Sequence, residues 1–444
     1  MKINEEELLA KASKWGKIAP QYHAFYHGKV EVMPKCAIRD LQDFNIWYTP
    51  GVAQSCREIQ KNSEAAFDLT SKWNYVAVVS DGTRVLGLGD IGGLAGMPVM
   101  EGKALIFKYL GGVDAFPICL ATKNPEEIIQ AVKWIEPSFG GINLEDISVP
   151  KCFHVLDRLR KEMSIPVWHD DQQGTAAVIL AGALNALKIV GKKMSEAKFT
   201  IIGAGAANTR TFYVLEAAGV NPNHVIITDS KGILNKNRED LKDTYKWDLA
   251  IKTNPEDREG GIKEAMEGSD IVIAASKPGP GVIKKEDVAV MADDAIVFAC
   301  ANPIPEIWPW EAKEAGAKIV ATGRSDFPNQ VNNSLVFPAI FRGALDVRAK
   351  TITDEMCIAS ASELAKHAEE RGLSEDYILP SMEEWEVYPK QAAATGLKAI
   401  EQGIARIKIS KAELLENAES IIKRTQDIVS LLMKQRFIKP LPPE

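Results

Sequence analysis

A chain of 444 residues exceeds a single ordinary hydrophobic core, so at least two domains are expected. Hydrophobic residues make up 46% and charged residues 25%, a globular mixture that excludes a disordered or low-complexity protein. Basic residues number 53 against 60 acidic ones, for a net charge of -7, and the absence of a basic field argues against a nucleic-acid partner. The segment Met1–Glu7 is charged and lacks the apolar core of a secretory signal. The apolar run Ala176–Val190 is interrupted by Asn185 and Lys188 and is too short to span a bilayer, so no membrane partner is expected. The six cysteines (Cys36, Cys56, Cys119, Cys152, Cys300 and Cys357) form no CxxC pair, which points to reduced thiols and a cytoplasmic location rather than to disulfides or zinc. Without a secretory signal, Asn332-Asn333-Ser334 reads as a chance glycosylation sequon.

In chain order, short apolar runs predict strands at Tyr75–Ser80, Ala115–Ala121, Pro166–His169, Lys198–Ile202, His224–Thr228, Asp270–Ala274, Ala295–Ala299 and Lys318–Ala321, with another short one ahead of Glu145. Helical stretches fill the gaps, among them Pro125–Glu136, Gln172–Val190 and Pro309–Ala315. Such alternation implies parallel sheets covered by helices, an α/β architecture. One strand set occupies the first half, and a second begins after the linker-like Gly191-Lys192-Lys193-Met194-Ser195. Past Thr353 the strand signal stops, and Ser410–Gln435 reads as one long amphipathic helix that would dock on a neighbouring domain or subunit. The expected division is an N-terminal α/β domain (residues 1–165), a Rossmann-type doubly wound domain (166–375) and a C-terminal helical segment (376–444). Together with an N-terminal segment distant from the second domain, the terminal helix suggests a homodimer or larger homo-oligomer.

The run Lys198-Phe-Thr-Ile-Ile202 leads directly into Gly203-Ala204-Gly205-Ala206-Ala207-Asn208 and then into a helical pattern. Strand, glycine turn and helix in that order form a dinucleotide-binding context, in which Gly203 permits the tight turn and Gly205 admits a pyrophosphate to the helix N-terminus. Asn208 stands where the third small residue is expected. Asp229, closing the next strand, is placed to bind ribose hydroxyls and leans toward NAD, while Lys231 and Arg210 leave NADP open. Two acid pairs follow other strands: Glu145-Asp146 and Asp170-Asp171. Each pair read alone is better explained as helix capping, but two pairs at two strand ends shift the balance toward a cation. An all-oxygen set suits Mg²⁺ or Mn²⁺ and not zinc, and His169 reads as a structural neighbour.

These motifs, in this order between about Ile46 and Arg348, resemble those of the malic enzymes in their shorter form. Trp47-Tyr48-Thr-Pro-Gly-Val52 is similar to the family segment whose tyrosine is a general acid, and Gly82-Thr-Arg84-Val-Leu-Gly-Leu-Gly89-Asp90 to the turn whose arginine holds a substrate carboxylate. Lys103 falls where the family keeps its general base, although on local pattern Lys108 is an equal candidate. The resemblance assigns Glu145, Asp146 and Asp171 to the metal and Asp170 to the position beside the last ligand. It gives Asn302, Asn332 and Asn333 to substrate and nicotinamide. The reaction so implied is oxidation of L-malate by NAD or NADP, decarboxylation on a divalent metal, and release of pyruvate. In it Lys103, its pKa lowered by the metal, takes the C2 hydroxyl proton and Tyr48 protonates the enol carbon. The rivals are a dehydrogenase that stops at the keto acid and needs no cation, and a nucleotide-sensing protein with a dead site.

Overall fold

The computed structural model describes residues 5–443. Helix α1 (Glu5–Tyr26) leads the chain, and the hydroxyls of Tyr22 and Tyr26 tie it to the C-terminal tail by donating to the carbonyls of Pro442 and Lys439 at 3.0 and 2.7 Å. The Val-rich β1 (Tyr75–Ser80) is buried almost end to end, as an inner strand of a covered parallel sheet must be. It is followed by α2 (Gly92–Gly111), β2 (Asp114–Cys119), α3 (Pro125–Ile135), β3 (Gly141–Leu144), α4 (Lys151–Glu162) and β4 (Val167–His169). All four strands are parallel, in the order β2-β1-β3-β4. The connections from β1 and β3 leave on opposite sides of the sheet, so a crevice opens beyond their carboxyl ends, where ligands bind in such sheets.

The second sheet is built from β5 (Phe199–Ile202), β6 (Val225–Asp229), β7 (Gly232–Ile233), β8 (Ile271–Ala274), β9 (Ile296–Ala299) and β10 (Ile319–Thr322), in the order β10-β9-β8-β5-β6-β7. Its strands are parallel except β7, which turns back on β6. This is the doubly wound order, with its switch point between β5 and β8. Helices α5 (Thr175–Ile189) and α6 (Ala206–Ala217) precede and follow β5.

Four further helices close the structure: α7 (Phe337–Asp346), α8 (Asp354–Arg371), α9 (Val387–Glu401) and α10 (Lys411–Lys434). They join the two halves, since one continuous apolar core runs from Val76, Val78, Phe107 and Trp168 of the first half through Phe337 and Phe341 to Phe199, Ile201 and Phe298 of the second. The Phe107 ring meets those of Phe337 and Phe341 edge-on at 4.6 and 5.1 Å. The terminal helix docks on this chain's own first half: Ile421 packs at Gly112, and Gln426 donates to the carbonyl of Tyr109 at 3.3 Å.

Three expectations shift. The strand Val167–His169 pairs with β3, so the first sheet extends past the expected boundary at residue 165, because β4 completes that sheet before the chain crosses over through α5. That helix begins at Thr175 rather than Gln172, because Asp170–Gly174 form a wider π turn. The two-residue β7 is too short to leave a periodic signal. The joint between halves is tight: a Cβ on Gly343 would lie 2.2 Å from the Ala392 carbonyl oxygen and 2.9 Å from Thr395 Cβ, so α7 and α9 touch backbone to side chain. Gly343→Ala is therefore expected to destabilise the fold by about 1–3 kcal/mol and lower the calorimetric melting temperature; an unchanged transition would mean that the helices are not so closely apposed.

Candidate active site

The acids at the end of β3 do not follow strand alternation. Successive residues of a strand face opposite sides, but Asp146 adopts φ 54°, a left-handed turn that asparagine and aspartate tolerate, and this re-aims its side chain toward that of Glu145. The turn is pinned by the Glu145 N–H donating to Val79 O and by the Arg84 N–H donating to Asp146 O, each at 2.9 Å. Asp171, from the π turn after β4, accepts the Asp146 N–H at 2.9 Å. Ligand oxygens of Glu145, Asp146 and Asp171 lie within 4.8 Å of one another, and Asp146 Oδ2 is buried without a hydrogen-bond partner. Burial pushes the Asp146 carboxyl up to about 8, with the Asp171 charge adding to the effect. Burial likewise raises Glu145 well above the carboxylate range, against the pull of Lys103. Three crowded acids, two of them made reluctant to ionise by burial and one with an orphaned oxygen, fit a hard divalent cation.

Helix α2 presents Lys103 to this cluster, 2.6 Å from Asp170 Oδ2 and 3.1 Å from Glu145 Oε1, with its ammonium 4.4 Å above the Phe337 ring. Lys108, the local alternative, faces Asp114 instead. Asp170 is fully buried and accepts from the Trp168 indole at 3.1 Å, from Lys103 and from the Asn333 amide. With its oxygens so occupied, it is the counter-ion of Lys103 rather than a ligand. Burial alone would lower the Lys103 pKa, but Asp170 and Glu145 outweigh it and hold the amine protonated above the ordinary lysine value. The lowered pKa expected from the sequence is thus not a property of the protein by itself, because the acids around the amine are not neutralised. His169 is buried with both ring nitrogens unpartnered, 3.6 Å from Asp171 at the closest, and burial lowers its pKa.

Across the crevice, Gly203 has φ 98°, a conformation that favours glycine, and Gly205 opens α6 with nothing within 4 Å of where a Cβ would stand. That open space lies over the first N–H groups of the helix, contributed by Ala206 and Ala207, where a pyrophosphate would be received. Asn208, the departure from the small-residue pattern, donates to the carbonyls of Ile202 and Gly203 at 2.8 and 3.0 Å and so fixes the turn itself. Ala204 accepts from the Tyr245 hydroxyl at 2.6 Å. Asp229 borders a cleft of about 680 Å³. Its oxygens are held by Arg238 at 2.8 and 3.2 Å and by Lys246 at 2.7 Å. Burial works to raise its pKa, but these cations prevail and lower it. Lys231 pairs with Asp240 and Arg210 with Asp354.

The remaining candidates separate into two groups. Asn302 and Asn332 line one cleft of about 560 Å³ with Gly323 and Arg324, and the Asn332 side chain also caps Ser334 N at 3.0 Å. Asn333 reaches Asp170, as above. Arg84 is exposed, its guanidinium donating to Leu86 O at 3.1 Å. Tyr48 is not brought to the acids: it is 70% exposed, and its hydroxyl makes no hydrogen bond among the described residues.

This geometry has known counterparts. The family models for the malic enzyme N-terminal domain and the malic enzyme NAD-binding domain match residues 27–128 and 122–160, and 172–400, respectively. The chain belongs to the malic enzyme family. It is 47% identical over 399 residues to the bifunctional malic/malolactic enzyme of Bacillus subtilis strain 168, covering 90% of this chain and 96% of that one. It is 51% identical over 379 residues to the NAD-dependent malic enzyme of Geobacillus stearothermophilus, covering 85% and 78%. The crystal structure of Entamoeba histolytica malic enzyme superimposes with a TM-score of 0.97 at 46% identity, covering 99% and 93%. The enzyme is accordingly an NAD(P)-dependent oxidoreductase that oxidatively decarboxylates malate to pyruvate.

Sequence reasoning on the malic enzyme motifs missed four supports of the site. Asn143 donates to Glu145 Oε2 at 2.9 Å and Trp168 to Asp170; each lies two residues upstream of its acid, the same-face spacing of a strand. Arg238 and Lys246, which grip Asp229, carry no local signal because one comes from a loop and the other opens a short helix (Lys246–Lys252). For the glycine turn, Gly205→Val should fill the space above the α6 N-terminus, raising the cofactor KM sharply with little effect on melting temperature or Mn²⁺ affinity. An unchanged cofactor KM would place the dinucleotide elsewhere.

Proposed function

We propose that this malic enzyme works through Lys103 as general base, Tyr48 as general acid, and Mg²⁺ or Mn²⁺ held by Glu145, Asp146 and Asp171. The observation that supports this most strongly is a lysine buried between an acid of the cation cluster and a second, fully satisfied carboxylate. A bound cation supplies a Lewis acid for the carbonyl of the keto acid. Lys103 accepts the C2 hydroxyl proton as hydride leaves for the nicotinamide, and Asp170, fixed by Trp168 and Asn333, keeps the amine aimed. Arg84 holds a substrate carboxylate, and Asn302, Asn332 and Asn333 orient malate against the nicotinamide. Gly203, Ala204, Gly205, Ala206 and Ala207 receive the pyrophosphate, and Asp229 the adenosine ribose. Either NAD or NADP is accommodated in this reading, since Asp229 is already paired with two cations. Reduced cysteines are compatible with a cytoplasmic enzyme, and no helix among the described residues is long and apolar enough to cross a membrane.

The assembly in this reading is a homodimer in which Tyr48 acts in the partner's site. Tyr48 sits in a segment of exposed large apolar side chains, Leu41, Phe44, Ile46 and Trp47, and α2 presents Leu94, Met97, Leu105 and Tyr109 outward on the face away from Lys103. Such surfaces support burial against a second copy of the chain.

Two measurements bear on these roles. Exhaustive chelation should abolish malate-dependent reduction of the cofactor at 340 nm, and Mn²⁺ or Mg²⁺ should restore it with stoichiometric pyruvate; full activity after chelation would remove the cation from the reading. Tyr48→Phe and Lys103→Ala should each be inactive alone, a positioned proton-transfer group being worth about 10²–10⁴ in rate. Refolded as a mixture, they should regain up to about a quarter of wild-type activity, because each mixed dimer then holds one intact site. Failure to complement while mixed dimers form would put Tyr48 in its own chain's site.

A further inference from the structure

Glu306 stands in the second sheet's loops with no part assigned to it. It follows β9 by a short turn and is 0% exposed. Its Oε1 accepts the Ser276 N–H at 2.8 Å and the Ser276 hydroxyl at 3.1 Å, and its Oε2 accepts the Ala301 N–H at 3.0 Å. No salt bridge is made by this carboxylate among the described residues; it is neutralised by N–H and O–H dipoles alone. A buried carboxylate is expensive, and one satisfied only by loop N–H and O–H groups holds those loops to a single arrangement.

The loops it joins border the cofactor crevice. Ser276 follows β8, and a Cβ on Gly203 would lie 3.2 Å from Ser276 Cβ and 3.3 Å from Ala275 O, so the glycine turn rests on the segment Glu306 fixes. Ala301 immediately precedes Asn302, which lines the cleft with Asn332. The Glu306 backbone contributes as well, its carbonyl accepting the Ile283 N–H at 3.2 Å, while Arg324 donates to Pro303 O at 2.9 Å from the next strand's loop. With the pyrophosphate at β5 and the adenosine ribose at β6, the nicotinamide extends the other way, over β8 and β9. That is the side Glu306 braces, and on that side the first half meets the second, since a Cβ on Gly87 would lie 3.3 Å from Asn302 O and 3.6 Å from Pro278 Cγ.

We infer that Glu306 is a positioning residue for hydride transfer: by clamping Ser276 to Ala301 it sets the nicotinamide end of the crevice and the placement of Asn302. The inference rests on the site reading given above. Because Glu306 touches neither the cation cluster nor Lys103, it separates the two halves of the chemistry. Hydride transfer from malate needs the nicotinamide placed; metal-dependent decarboxylation of added oxaloacetate does not.

Glu306→Gln keeps the shape but turns an N–H₂ toward one of the three donors, leaving that donor unpaired. The expected result is a rise of about ten- to a hundredfold in the cofactor KM, and a matching fall in malate oxidation. Oxaloacetate decarboxylation with Mn²⁺ and without cofactor should stay within about twofold of wild type. Titration of reduced cofactor by fluorescence should show the same weakening. A merely structural role would lower both activities together with the folded fraction and leave the cofactor KM of the remainder unchanged; that result overturns the inference. If Glu306→Gln does not fold, Ser276→Ala, which removes only the hydroxyl donor, should still raise the cofactor KM several-fold, and an unchanged value there overturns it equally. Wild-type protein that failed to oxidise malate at all would instead count against the function, so the two failures are distinguishable.

Discussion

A protonated lysine enclosed by carboxylates governs how the rest of this molecule is arranged. Lys103 leaves water to sit between Asp170 and Glu145, and the desolvation of three charges is repaid only if every remaining lone pair finds a donor. Each carboxylate therefore brings its own support. Trp168 and Asn333 satisfy Asp170, and Asn143 satisfies Glu145. Gly174 has no side chain because a Cβ there would lie 2.2 Å from Asp170 Oδ1. The donors come from α2, β3, β4 and the segment before α7, so the electrostatics of one amine tie together elements of both sheets. The shared apolar core around Phe107, Phe337 and Phe341 runs directly beneath it and keeps the dielectric low enough for these contacts to be strong.

The same cluster bears on the proposed pairing of base and cation. Glu145 faces both ways, toward Lys103 and toward Asp146 and Asp171. Asp170 and Glu145, both beside the amine, raise its pKa and hold its proton in place. Neutralising the acids withdraws one of the two charges that hold that proton, leaving Asp170 to orient the amine. If Lys103 is the base as proposed, coupling of this kind would make its activity conditional on a filled acid cluster, a form of pKa tuning by a shared carboxylate. In the proposed reading the nicotinamide is placed instead by loops of the other sheet, and the reacting carbon of malate would lie where the crevices at the two switch points meet.

Much of this was legible in the residues. The strands of the second sheet apart from β7 follow from apolar runs spaced by helical stretches, and Gly203 marked the glycine turn because its positive φ admits few residue types. The acid cluster was legible only because two carboxylate pairs recur at two strand ends, since either pair alone reads as helix capping. What stayed hidden depends on contacts distant in sequence or on irregular backbone. The left-handed Asp146 and the π turn at Asp170–Gly174 leave no periodic mark, yet they aim the ligands. Arg238 reaches Asp229 from a loop and Lys246 from the start of a short helix, and Glu306 reads locally as an acid near a helix start. β4 joins the first sheet, in keeping with a second strand set that begins only after Gly191–Ser195. The motif order carried Lys103 over Lys108, which local helical pattern could not separate.

The grip on Asp229 bears on how the enzyme chooses its cofactor. An acid at the end of the second Rossmann strand favours NAD when its carboxylate is free, because it accepts the ribose hydroxyls and repels a 2′-phosphate. Here the carboxylate is only 6% exposed and already accepts from Arg238, Lys246 and the Lys231 N–H. Its repulsion is therefore largely cancelled, and its capacity to accept from a ribose is partly spent. Arg238 is a planar fork that can turn from carboxylate to phosphate without losing bidentate geometry, and Asp240 shares both it and Lys231. The charge balance of this five-residue group, rather than the acid alone, then sets how strongly a 2′-phosphate is penalised. A single acid at a strand end is for that reason a weaker guide to cofactor preference in this chain than the number of cations that reach it.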